Sequence, residues 1–332
     1  MKRITTTLFL FCSMLSFGQI DLGTILEGGT GDANAYLKGY LSPIAKGFGA
    51  GINGGWYHTA KPHKFLGFDV KVIANAALVP TSGETFMFNN ADFTSIKIDD
   101  SNVSSALVPT IFGSQKLGDR PLLEFANGGN TISISALPGS GLGEEIGQNI
   151  VPSAMAQLTV GLWKNTDVMI RFVPEQKQSE FEFSTFGFGV KHDIKQWIPF
   201  VKRLPFDLSV LAAWNDVKAK IFLDHKNEPS QALELNTKTT MFQLVASKKL
   251  LFLTVFGGVG TSTATTNVNM LGNYSTTNSN QTFTDPIALK YSGSEFRANV
   301  GLNMKLLFLN ISADYAMQEY NTFTATVGFT FR

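Results

Sequence analysis

The sequence predicts an all-β protein: a closed antiparallel transmembrane β-barrel of about 12–14 strands with a short N-terminal helix. Three observations carry that expectation. The first is period-two alternation in the last forty residues, Gly293 to Arg332. Phe323, Ala325, Val327, Phe329 and Phe331 share one face and Thr324, Thr326, Gly328 and Thr330 the other, which is strand geometry. Leu309, Ile311, Ala313 and Tyr315 alternate in the same way with Asn310, Ser312 and Asp314, and Val300, Leu302, Met304 and Leu306 with Gly301, Asn303 and Lys305. The polar faces are small and mostly uncharged, and the apolar strips end in aromatics, as expected where one face meets lipid and the other water. The second is a charged fraction of 16%, below the ~25% of soluble domains. The third is that no apolar run of about 18 residues follows the N-terminus. A closed barrel is the remaining way to satisfy the backbone in lipid.

The N-terminus gives the address. Lys2 and Arg3 precede the apolar stretch Leu8 to Leu15, and Ser16-Phe-Gly18 supplies small residues for a peptidase. Residues 1–18 therefore read as a signal peptide, too short for an anchor helix, and the destination is the bacterial outer membrane. The one cysteine, Cys12, leaves with the leader, so the mature chain is expected to have no thiol, disulfide or cysteine metal site. Without Lys2 and Arg3 the formal charge passes from +1 to −1, and this balance gives no case for nucleic acid.

Residues 19–47 form a helical segment. Asp32 is placed to cap a helix in which Tyr36, Leu37, Tyr40, Leu41 and Ile44 recur at helical spacing, with Pro43 late and Gly47 at its end. A plug in the lumen, a helix at the periplasmic mouth and a loose leader are all open readings. The barrel is expected to occupy 48–332. Phe48 to His58 reads as its first, Gly-rich strand, ending in a Trp56-Tyr57 pair suited to a headgroup boundary. Thr59 to Lys64 reads as a turn. In the next strand Phe68, Val70, Val72, Ala74, Ala76 and Leu78 face lipid, and Asp69, Lys71, Ile73 and Asn75 face the lumen. Asp69 and Lys71 either line a conduit or neutralise each other.

From Pro80 to Pro152 the alternation thins, with short strands at Phe93 to Ile98 and Thr131 to Leu137. A long external loop is expected around 100–152, too apolar to wave in water. Leu107, Pro109, Ile111, Phe112, Leu137 and Leu142 are its gate candidates, the alternative being a lid that seals the lumen. Regular strands resume at Leu158, with Asp167 and Arg171 turned inward and Asn303, Lys305 and Asp314 lining the lumen further on. Trp163 to Thr166, Ser247 to Lys249 and Leu306 to Phe308 read as short periplasmic turns; Pro174 to Ser179, Leu223 to Ser230 and Asn267 to Leu289 read as external loops. One inner connection is longer. Ile194 to Leu204 combines Trp197, Ile198 and Phe200 with Lys195, Lys202 and Arg203, which suits an interfacial anchor better than a docking site for a periplasmic partner.

No enzyme is expected. His58, His63, His192 and His225 are the histidines, and no serine sits in a nucleophile's motif. A metal shared by His58, His63 and His192 would need strands far apart in sequence, so neither metal nor cofactor is expected.

The blocks Lys46-Gly-Phe-Gly-Ala-Gly-Ile-Asn-Gly-Gly-Trp-Tyr-His-Thr-Ala-Lys-Pro-His63 and Phe186-Gly-Phe-Gly-Val-Lys-His-Asp-Ile-Lys-Gln-Trp-Ile-Pro-Phe-Val-Lys-Arg-Leu-Pro-Phe-Asp-Leu208 resemble an uncharacterised family of exported bacterial outer-membrane β-barrel proteins. More distantly, the architecture resembles the FadL-type fatty-acid channels, although the chain shows no Asn-Pro-Ala hatch motif and no ligand residue can be carried over. The FadL likeness implies passive transport. Transport is the function expected, with a sealed barrel as its alternative. One is a monomeric passive transporter of small hydrophobic or amphipathic molecules, with a hydrophobic small molecule in its lumen. The other is a structural or surface-binding barrel with a sealed lumen and no transport, its external loops meeting other surfaces; in either form the outer-membrane lipid is a partner.

Overall fold

Ten strands close into one antiparallel ring among the described residues. The computed structural model describes residues 22–331 except 128–129, 142, 144–146, 178–180, 200, 225–227 and 277–280. Residues 1–18, read from sequence as a signal peptide, with Cys12 among them, and Leu142 and His225 thus lie outside the described residues. Three helices come first: α1 (Leu22–Leu26), α2 (Gly29–Tyr40) and α3 (Ser42–Ile52). The first ring strand is β1 (Phe68–Leu78). Five short strands follow: β2 (Thr85–Asn89), β3 (Ile96–Ile98), β4 (Ser105–Pro109), β5 (Leu122–Asn127) and β6 (Asn130–Ser135). The ring continues with β7 (Ile150–Leu162), β8 (Thr166–Lys177), β9 (Phe181–Asp193), β10 (Asp207–Asp224), β11 (Glu228–Leu250) and β12 (Leu253–Leu271). A hairpin of β13 (Asn273–Ser275) and β14 (Thr282–Thr284) intervenes before β15 (Ile287–Leu306), β16 (Leu309–Met317) and β17 (Thr322–Phe331).

The seam is at β1. Its Val72 lies opposite Val327 of β17 on one side and Ala156 of β7 on the other, so no ring edge is left unpaired. Which face is wet decides the environment. In β17, Phe323, Val327, Phe329 and Phe331 are about half exposed, while Thr322, Thr324, Thr326 and Thr330 are buried. A soluble sandwich buries its apolar face; here the apolar face is outside and the polar face inside, which is the signature of an outer-membrane barrel. No described helix is long and apolar enough to cross a membrane. The connections at residues 163–165, 251–252 and 307–308 are two or three residues long, with 194–206 longer beside them, and the two longest connections, 79–149 and 272–286, lie at the opposite end, as outer-membrane barrels carry theirs on the outer side.

Several expectations need correction. The ring has ten strands rather than 12–14. One surplus strand was Phe48 to His58, which is helical to Ile52 and then runs as coil inside the ring; its Trp56 and Tyr57 are buried there instead of sitting at a headgroup boundary. The ring therefore begins at Phe68. The expected turn at Ser247 to Lys249 lies at Leu251–Phe252, because a leucine at φ 55° turns the chain where Ser-Lys-Lys reads as the better turn. The external connections are shorter than expected, since β8 reaches Lys177, β10 Asp224 and β12 Leu271. At 23 residues β11 is more than twice what a bilayer needs, so its outer half stands clear of the membrane.

Residues 79–149 are a cap rather than a structureless loop. β2 pairs with β4, and β3, β5 and β6 form a second small sheet. Phe88, Val108, Leu123 and Phe125 of these sheets are buried with Ile25, Tyr36 and Leu37 of the helices, making one core at the outer mouth.

Candidate functional site: the occupied lumen

The candidate site is the lumen, and the chain's own N-terminal segment lies in it. α1 and α2 sit under the cap at the outer mouth. Tyr36, Leu37, Tyr40 and Leu41, the plug-helix candidates, are all buried there. Tyr36 meets Phe86 edge-on at 5.5 Å, its hydroxyl accepts from the Leu137 amide, and the Tyr40 hydroxyl donates to the Pro138 carbonyl at 2.7 Å. Burial raises the pKa of both phenols above the usual value. Of the gate candidates, Ile111, Phe112 and Leu137 are buried in this core and the Ile111 amide donates to the Tyr40 carbonyl. Pro109 is buried, while Leu107 is 58% exposed on the far side of the β2–β4 sheet.

α3 then enters the ring. A Cβ added at Gly47 would fall 2.7 Å from Val151 Cγ2 in β7, and one at Gly49 would fall 2.7 Å from Ala264 Cβ in β12. β7 and β12 lie diametrically opposite in the ring, so the helix fills the lumen from wall to wall and glycine is what lets it fit.

Below α3 the chain descends as coil, and the wall takes its carbonyls one after another. Arg171 donates from Nη1 to Ile52 O and from Nη2 to Gly54 O, both at 2.7 Å, and from Nε to Gln157 Oε1; its guanidinium lies 3.7 Å from the Trp56 ring centroid. Lys71 Nζ and Gln157 Nε2 both donate to Trp56 O, at 3.1 and 2.9 Å. The Tyr57 hydroxyl donates to Asn299 Oδ1 at 2.8 Å and also meets Gln243. Lys191 Nζ donates to Thr59 O and Ser209 Oγ to Ala60 O. At the inner end His63 lies between two carboxylates, with Nδ1 3.2 Å from Asp167 Oδ2 and Nε2 3.4 Å from Asp69 Oδ2, and Lys191 Nζ is 3.1 Å from Asp167 Oδ2. A polypeptide in a lumen needs partners for its backbone, and these side chains supply them.

Of the lumen-facing candidates, Asp69, Lys71, Asn75, Asp167, Arg171, Asn303 and Asp314 are buried inside the ring, and Lys305 is half-buried near its inner end. Lys71, Asp69, Asp167 and Arg171 meet the threaded segment. Asn75 instead joins neighbouring strands, with Ser153 at 3.3 Å and Thr324 at 2.9 Å. Asp314 accepts from Asn299, and the Asn303 side-chain oxygen has no protein partner. Asp69 and Lys71 turn to different parts of the segment instead of pairing with each other. Gln157, Lys191, Ser209 and Gln243 were not foreseen. Lys191 was within reach, since it alternates inward between the outward Val190 and His192. His192 itself sits at the inner rim, where Nε2 accepts from Trp197 Nε1 at 2.8 Å.

A family model matches residues 1–331. The chain belongs to DUF6588, a family of unknown function. No curated protein matches it. Solved structures similar to this DUF6588 chain include the attachment invasion locus protein Ail of Yersinia pestis, at 7% identity and TM-score 0.27 over 81% of this chain and 100% of Ail. The translocator domain of autotransporter NalP from Neisseria meningitidis matches at 10% identity and TM-score 0.31, over 81% of this chain and 90% of NalP. The COG4313 outer membrane channel from Pseudomonas putida F1 matches at 8% identity and TM-score 0.29, over 82% and 98%. At such values no activity is transferred from them.

Proposed function

We propose that this DUF6588 chain is a non-catalytic outer-membrane barrel with a sealed lumen, and that its working surface is the capped outer face. One observation carries the reading. From Ile52 to Ala60 the carbonyls of Ile52, Gly54, Trp56, Thr59 and Ala60 are each taken by a wall side chain, so the space a solute would use holds ordered backbone. On the outer face a cleft of about 650 Å³ opens between α2, α3, β2 and β15. Phe86, Phe93 and Tyr291 give it apolar walls, and Lys46, Glu295 and Glu319 give it charges of both signs, a lining that suits a small amphipathic molecule.

Passive transport is the second reading, and the same cleft favours it. Its floor includes Ala45, Lys46 and Ala50 of α3, so a solute held there rests on the plug and would pass inward if the plug moved.

Purified protein in liposomes separates the two. Thr59 Oγ1 and Ser247 Oγ are 3.1 Å apart, and the mature chain has no other cysteine, so Thr59→Cys with Ser247→Cys should tether the segment to β11 on oxidation. The sealed reading expects no ion conductance and no uptake of a lipophilic dye, whether the tether is open or oxidised. Steady permeation through untethered barrels that oxidation abolishes would overturn it in favour of transport.

A further inference from the structure

The two ends of the barrel differ in charge. The inner connections, residues 61–67, 163–165, 194–206, 251–252 and 307–308, hold six Lys or Arg and no Asp or Glu, and Lys248, Lys249 and Lys305 lie at the ends of the strands beside them, as Asp193 and Asp207 do. The outer cap, residues 79–149, holds eight Asp or Glu against three Lys or Arg. Two inner hairpins also share a sequence: Lys249 to Leu253 and Lys305 to Leu309 are both Lys-Leu-Leu-Phe-Leu. They are spatial neighbours, since β12 pairs with β15 and the Lys305 amide donates to the Phe252 carbonyl at 2.9 Å.

In each hairpin the middle leucine carries the turn at φ 55°, and Leu251 and Leu307 are 87% and 89% exposed. A left-handed conformation disfavours a branched side chain, and Gly or Asn would suit both the backbone and the water. Leucine at both tips is compensated if the tips leave water. They continue an apolar surface: Phe308 stacks on Phe331 and Phe331 on Phe68, down to where the lipid-facing strips end. Trp163, 71% exposed and stacked on Phe65 at 4.5 Å, extends the same rim.

We propose that this rim is a binding collar for anionic phospholipid of the inner leaflet. The Leu251 and Leu307 tips and Trp163 seat among acyl chains, and Lys164, Lys248, Lys202 and Arg203, all exposed at the inner rim, take the phosphates. Cation and apolar tip on one turn match a lipid's own order of headgroup and chain. The collar is independent of whether the lumen is sealed.

Tryptophan quenching tests it. The full mature protein carrying Trp214→Phe, which removes the tryptophan on the lipid-facing wall, is placed in phosphatidylcholine vesicles with a minor fraction of brominated lipid. Trp56 is buried in the lumen, so Trp163 and Trp197 at the rim report. Brominated phosphatidylglycerol should quench as though enriched about tenfold over brominated phosphatidylcholine, and molar salt should reduce the excess. Lys164→Gln with Lys248→Gln and Lys202→Gln should remove most of it while the heat-dependent gel shift of a folded barrel persists. If that variant does not fold, Lys164→Gln and Lys248→Gln are read singly, each expected to lower the excess. Equal quenching by the two lipids overturns the proposal, as would an excess untouched by the lysine variants; either result would leave the rim to a periplasmic protein.

Discussion

Replacing Arg171 with methionine tests how the lumen is filled. Arg171 is fully buried and makes two 2.7 Å charge-assisted bonds to the carbonyls of Ile52 and Gly54, besides its contact with the Trp56 ring. Methionine keeps most of the volume but leaves both carbonyls unpaired. Each bond from a charged donor contributes about 1.5–3 kcal/mol and the ring contact about 2 kcal/mol or less, and escape from burying a guanidinium offsets part of the loss. A net weakening of about 3 kcal/mol in the seating of residues 45–60 is expected, which is a rise of roughly 10²-fold in the open-to-seated ratio. Hydrogen exchange read by mass spectrometry checks this: amides of 45–60 should exchange about 10²-fold faster while those of β15 to β17 stay protected. Brief conductance openings in planar bilayers should accompany it. If Arg171→Met protein keeps wild-type exchange across 45–60, the clamp argument is wrong; if all strands exchange faster together, Arg171 supports the wall and not the plug.

Three further outcomes are expected. Gly31 is exposed on α2 with open space at its Cβ, so Gly31→Cys should react with a membrane-impermeant maleimide on intact cells, whereas Leu307→Cys should react only after the outer membrane is permeabilised; the opposite pattern would invert the orientation. At Gly54→Val the new Cβ falls within 2.2 Å of Asn75 Oδ1 and 2.7 Å of Thr324 Oγ1, which disrupts their bond and should cost about 1–3 kcal/mol, seen as a lower midpoint on heating in detergent; an unchanged midpoint would mean the segment is not seated between β1 and β17. Phe88 is fully buried and stacks on Phe93 at 4.0 Å, so Phe88→Ala should weaken the cap by about 3–5 kcal/mol and speed proteolysis within 79–149 while the barrel's gel shift is unaltered. Loss of that shift would show that cap and barrel do not hold together separately.

The strand faces were legible because a barrel wall imposes period two on every residue it holds. That is why Asp69, Lys71, Asp167, Arg171 and Asp314 read as inward from β1, β8 and β16 alone. What they bind was not legible, since Arg171 meets Ile52 more than a hundred positions away. Phe48 to His58 misled for a physical reason. Gly49 and Gly51, with Gly47 just before them, mimic strand alternation, but the spacing serves a helix touched on two opposite sides. The cap strands, three to six residues each, are too short for any period to show. At Leu251 the turn was hidden because the residue that makes it is not a turn former.

The threaded segment also bears on how the protein is made. It is covalently continuous with β1, and β1 is the strand that joins both free margins of the sheet. Stoppering the pore and sewing the cylinder shut are therefore coupled through Lys64 to Gly67, and a stopper arriving late would have to be pulled through a finished wall. Assembly should accordingly wind β7 to β17 around a hairpin whose descending arm is already in place, with the cap folding down last.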